Sequence, residues 1–128
     1  MLQSYFKELF PKASWSEDTV IDDGFIVGTF EKDHFYPSPF ALDKASVLFS
    51  KIVLSHKGSF LFTTGKDILS EWVLEGLGDV VLVTNPDGFI VGLGKKSPRG
   101  YCNLFDIGWY LRRELTHSSH TSQKAHRK

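Results

Sequence analysis

The sequence predicts an α+β chain of two small units: an α/β unit over residues 1–57, then a strand-rich unit over residues 58–115. Three observations predict it. Apolar residues at helical spacing and short strand-like runs share the first half. Short apolar runs divided by Gly, Pro and Asp turns dominate the second half. Lys57-Gly58 marks the break between them, and residues 116–128 follow as a polar, basic tail that is expected to be flexible. A length of 128 residues suits one domain or two very small ones in contact. With 41% apolar and 23% charged residues the composition is that of a folded chain, and eleven Phe supply much buried area per residue.

Taken in order, Leu2, Tyr5, Phe6, Leu9 and Phe10 form one helical stripe that Pro11 stops. Asp22-Asp23-Gly24 reads as a turn into the strand Phe25 to Phe30, and Glu31 to Asp33 as another before His34-Phe35-Tyr36. Ser38-Pro39 starts a helix, Ser as N-cap and Pro at the first helical position. Ala41, Ala45, Leu48 and Ile52 carry it to about Ser55. Ser59 to Thr63 reads as a strand, and Lys66 to Leu74 as a helix that Gly76 and Gly78 end. Asp79 to Thr84 is a buried strand. Asn85-Pro86-Asp87-Gly88 turns the chain back into Phe89 to Gly94, because Pro presets φ and Gly supplies positive φ. Lys95 to Gly100 is a basic loop, Tyr101 to Phe105 a last strand, and Asp106 to Glu114 closes the fold.

Net charge is zero, but its distribution is uneven: −2 over residues 1–57, −4 over 58–94 and +6 over 95–128. A basic segment behind an acidic body marks either a nucleic-acid surface or a solubilising tail. The single cysteine, Cys102, excludes an internal disulfide, and its place in a strand predicts a buried thiol. No apolar run approaches the ~20 residues of a membrane helix, and no signal-peptide pattern opens the chain, so a cytoplasmic, membrane-free protein is expected.

Catalytic motifs fail on inspection. Gly65-Lys66 has Phe60 where a P-loop needs its first Gly, and Asp67 where it needs Ser or Thr. Gly92 and Gly94 are followed by Ser97 where a dinucleotide fingerprint needs Gly. His117 and His120 stand at i, i+3 in a tail too polar to fix them, and Asp22 with Asp23 belong to a turn. No catalytic residue, metal site or cofactor is expected.

Several runs carry a resemblance. Phe60-Leu61-Phe62 with Gly65-Lys66-Asp67-Ile68-Leu69 (as an opening strand and helix), Gly78-Asp79-Val80-Val81-Leu82-Val83, the hairpin Asp87 to Lys95, and Asp106-Ile107-Gly108-Trp109-Tyr110-Leu111-Arg112-Arg113-Glu114 occur in order. Together they resemble the PUA domain, named for pseudouridine synthases and archaeosine transglycosylases. The closing run is similar to that of the Nip seven family of large-subunit ribosome-assembly factors, in which an α/β pre-PUA domain precedes the PUA domain. The resemblance implies a PUA-like β pseudobarrel over residues 58–115 that binds RNA (rRNA in that family) without catalysis, beside other assembly factors, in an archaeal-type layout. It places RNA contacts on Lys95, Lys96 and Arg99, with Arg112 and Arg113 near in sequence.

Chemistry gives the same loop a role. Cations on a rigid strand release counterions when they neutralise phosphates, and an Arg fork meets phosphate or a base edge. Gly92 and Gly94 either admit a nucleic-acid backbone or mark a bulge that closes the barrel. Tyr101 either stacks on an unpaired base or packs inside. Lys95 and Lys96 could also be plain solvated charges. Trp109 or Tyr110, with Leu111, is expected to seal the barrel or its seam with the first unit, and one of Arg112 and Arg113 to be structural. Two other functions stay open: an accessory RNA-binding subunit for an RNA-modifying enzyme, and a protein-interaction adaptor that binds no RNA.

Overall fold

The computed structural model of the chain describes residues 2–112. Helix α1 (Leu2–Leu9) leads into a three-stranded antiparallel meander, β1 (Thr19–Asp22), β2 (Phe25–Glu31) and β3 (His34–Pro37). Both meander turns use residues in the left-handed region, Asp23 and Gly24 in the first, Lys32 and Asp33 in the second. That is the geometry whose twist matches a two-residue hairpin. Helix α2 (Pro39–Lys44) starts as the Ser38-Pro39 pair predicts: Ser38 Oγ accepts from the Ala41 N–H at 3.1 Å and donates to the Ile26 carbonyl at 2.6 Å.

The helix does not run on to Ser55. It tightens into a 3₁₀ turn, and residues from Ser50 become β4 (Ser50–Leu54). This strand lies parallel to β7 (Val80–Thr84), with Ile52 and Leu54 fully buried. The apolar spacing that suggests a helix is the inward face of a strand, and the sheet decides between them. The next two elements are likewise exchanged. Residues His56–Phe62 form α3, capped by Ser55 Oγ accepting from Gly58 N–H at 3.0 Å, where a strand is expected. The predicted helix Lys66 to Leu74 is instead β5 (Ile68–Leu69), a 3₁₀ turn and β6 (Val73–Glu75). Its backbone bonds go to neighbouring strands, β5 to β9 (Gly100–Asp106) and β6 to β4.

Strands β8 (Ile90–Ser97) and β9 (Gly100–Asp106) complete a six-stranded sheet in the order β5-β9-β8-β7-β4-β6. The two edge strands, β5 and β6, are joined by the single 3₁₀ turn Ser70–Trp72. Bonds from Ser70 N–H to the Arg99 carbonyl (2.9 Å) and from Ser55 N–H to the Trp72 carbonyl (2.8 Å) tie that turn to both ends of the sheet. The result is the nearly closed pseudobarrel expected of the second half, joined to a small N-terminal α/β layer.

The two faces of β7 explain its unbroken apolar run. Val81 and Val83 face the barrel interior with Ile52, Leu54, Phe62, Ile68 and Tyr101. Leu82, with Leu93 of β8 and Phe105 of β9, turns the other way into a core shared with Phe6, Val27, Phe35, Leu42 and Phe49. A strand buried on both faces carries no polar alternation. A stack of Tyr36 on Trp109, with centroids 4.2 Å apart and planes 8° from parallel, fastens the meander to the helical turn that follows Asp106.

Candidate nucleic-acid interface

Of the residues singled out in the sequence, Lys96 and Arg99 come together on the hairpin joining β8 to β9. Both are exposed. Lys96 sits opposite Tyr101 in the ladder, and its backbone N–H donates to the Asp79 carbonyl at 2.6 Å, so the cation rises from a fixed strand. Lys95 is half-buried and pairs with Val80 and Cys102. Successive strand residues point to opposite faces, so Lys95 and Lys96 serve different surfaces.

Tyr101 needs correction as a stacking residue. It is 5% exposed and belongs to the barrel core, so its ring is not available to a base. The glycines are also inward. A Cβ on Gly92 would strike the Phe105 carbonyl and the Phe62 ring, and one on Gly94 would press on Tyr101 and Cys102. The backbone they admit is the protein's own. Cys102 is exposed rather than buried, since Tyr101 takes the inward side of β9 and its neighbour must turn out.

Beneath the hairpin lies an open groove of about 270 Å³. Val73, Leu77 and Pro98 supply apolar lining, Ser70, Ser97 and Lys96 the polar part, and among the described residues none that lines it is acidic. Sequence reading missed this groove. Its signal is Leu77, an apolar residue between two glycines in a loop, here 71% exposed.

Arg112 stands elsewhere. Six steps of about 3.3 Å along β9 separate Gly100 from Asp106 by roughly 20 Å, and Arg112 is anchored at the Asp106 end. Its guanidinium donates to the Thr63 carbonyl at 2.9 Å and pairs with the buried Asp106 carboxylate at 3.4 Å. Asn103 joins the cluster, its side-chain amide donating to the Asp106 carboxylate (3.0 Å) and to the Phe62 and Lys66 carbonyls (3.1 and 3.2 Å). Asp67 Oδ1 accepts from the Asn103 backbone N–H at 2.8 Å. Gly108 is buried in the same clasp; a Cβ there would collide with the Thr63 carbonyl and crowd Asp106 and Arg112. The closing run is thus a structural fastening of the loop after α3. Trp109 and Tyr110 take the sealing role, while Leu111 is 60% exposed and does not. Arg113 and the tail from residue 116 lie outside the described residues.

A family model described as the UPF0113 PUA domain matches residues 50–115. The chain belongs to that family. The match begins at the first residue of β4, so the PUA-family region takes in the whole six-stranded sheet. Among solved structures, a PUA domain from Aeropyrum pernix K1, crystallised as a tartrate complex, is similar in fold. It has a TM-score of 0.52 and 16% identity over 84% of this chain and 82% of that one. No curated protein matches the sequence significantly. Among the described residues of this PUA-family chain, no helix is long and apolar enough to cross a membrane.

Proposed function

We propose that this PUA-family chain is a non-catalytic RNA-binding protein that meets RNA through the β8–β9 hairpin. The observation that carries the reading is the exposure of Lys96 and Arg99 on a rigid hairpin of a PUA barrel. The hairpin backbone fixes where both side chains leave, Lys96 from β8 and Arg99 from the turn, so no loop has to be ordered when phosphates dock. Lys95, on the other face of β8, and Arg113 remain candidate RNA contacts apart from this hairpin surface. Arg112 is reserved for the clasp.

At the finer level, the resemblance of the closing run to the Nip seven family supports rRNA as the target and ribosome assembly as the setting. In that reading the protein is cytoplasmic and works beside other assembly factors. The division into a pre-PUA unit (1–57) and a PUA unit (58–115) belongs to the same proposal, with β4 the strand that the first unit contributes to the second sheet.

The test is RNA affinity measured against salt for the wild type and for Lys96→Ala/Arg99→Ala. The double variant should bind more weakly across sequences, with the slope of log K against log salt reduced by up to about 0.7 per lost contact on single strands. Unchanged affinity in a folded double variant removes the hairpin from the interface.

A further inference from the structure

We propose that the groove under the β8–β9 hairpin receives one unstacked base of single-stranded RNA, which makes this interface selective against duplex. The inference rests on the RNA-binding reading above and adds the ligand class.

The groove joins two chemistries that a nucleotide also joins. Its lining is apolar at Val73, Leu77 and Pro98, and cationic at Lys96. A base offers a flat, weakly hydrated face, and its phosphate lies one sugar away. Seating the ring on the apolar side therefore brings the phosphate toward the lysine. At about 270 Å³ the space falls just below the ~300–1,000 Å³ of pockets that enclose drug-sized ligands, which suits one ring system rather than a longer segment.

Leu77 supports this use. It is 71% exposed on a loop flanked by Gly76 and Gly78, and folding gains little from leaving it there. Gly76 itself packs against the Lys51 carbonyl with φ +98°, which holds the loop against β4. The leucine is thus presented on a fixed support. Duplex RNA cannot use such a groove, because its bases are stacked and its edges lie within the helix; single-stranded RNA can splay a base out. Duplex would meet only the cations.

The experiment uses the full chain and two dye-labelled probes followed by fluorescence anisotropy. The probes are a single-stranded 12-mer RNA of mixed sequence (about the 4–16 nucleotides a single-strand-binding fold covers) and the same strand annealed to its complement. Leu77→Ser removes the apolar lining without adding charge, at a position too exposed to unfold the protein. The wild type should prefer the single strand. Leu77→Ser should weaken single-strand binding about tenfold, the equivalent of ~1.4 kcal/mol, and leave duplex binding unchanged. Equal affinity for both probes, or an unaltered single-strand affinity in Leu77→Ser, overturns the base groove while RNA binding stands. Failure of the wild type to bind either probe overturns both. A Lys96→Ala/Arg99→Ala variant with full affinity, beside a weakened Leu77→Ser, overturns the cationic contacts and upholds the groove.

Discussion

Replacing Gly108 by Ala sets local propensity directly against tertiary structure. Residue 108 is helical, and its φ is not among the positive ones. Helix propensity alone therefore predicts that Gly108→Ala stabilises by about 1 kcal/mol. The clasp predicts the opposite. The new methyl would meet the Thr63 carbonyl, a backbone atom that cannot rotate aside, and would crowd Asp106 and the Arg112 guanidinium. Forcing a methyl into a filled site costs about 1–3 kcal/mol. Moving the Thr63 carbonyl also weakens its bond from Arg112, worth about 1.5 kcal/mol at the low end that suits a half-exposed cation. Subtracting the propensity gain leaves a net loss of roughly 1.5–3.5 kcal/mol, or a fall in Tm of about 6–14 °C for a chain of this size. The assay is thermal melting of the wild type, Gly108→Ala, Arg112→Ala and the double variant. The double variant should lose about 1 kcal/mol less than the two singles together, because both remove the same Thr63 contact. Gly24→Ala is the control: φ is +82° and the added methyl meets no described residue within 4 Å, so only backbone strain of ~1 kcal/mol is expected, additive with Arg112→Ala. A Gly108→Ala protein that melts at or above the wild-type temperature refutes the clasp.

Two further outcomes follow from the seam. A double-mutant cycle on Tyr36→Ala and Trp109→Ala, read by urea melts, should give a coupling of about 0.5–1.5 kcal/mol from the stacked pair; a coupling near zero would mean the rings merely lie side by side. Among the described residues the buried Tyr110 hydroxyl has no hydrogen-bond partner, and burial pushes its phenol above the ordinary value. The folded protein then keeps a proton that the unfolded chain releases above about pH 10, so stability is intact below that pH and falls as pH rises through it. Tyr110→Phe should melt within ~1 kcal/mol of the wild type at neutral pH and lose less stability at alkaline pH. Equal alkaline losses would place the titration on another group.

Much of the fold was readable in the chain itself because it is set by near neighbours. Pro11 ends α1, Ser38-Pro39 starts α2, and Asn85 to Gly88 form the hairpin turn, with Asn85 Oδ1 accepting from the Asp87 and Phe89 N–H groups at 3.0 Å. Each feature needs only a ring, a hydroxyl or a glycine at the right step along the backbone. The double-sided burial of β7 also shows in its continuous apolar run.

What only the tertiary structure decided lies where partners are distant in sequence. Ser50 to Leu54 has spacing compatible with helix or strand, and the parallel pairing with β7, thirty residues on, chooses the strand. Residues 66–74 give their backbone bonds to β9 and β4, which no local pattern announces. The basic residues divide for the same reason. Lys96 and Arg99 share a hairpin, strand alternation turns Lys95 away, and the buried Asp106 draws Arg112 into a clasp at the far end of β9. Sequence supplies the charges and the turns; which charges share a face depends on register and burial, and those exist only once the barrel has closed.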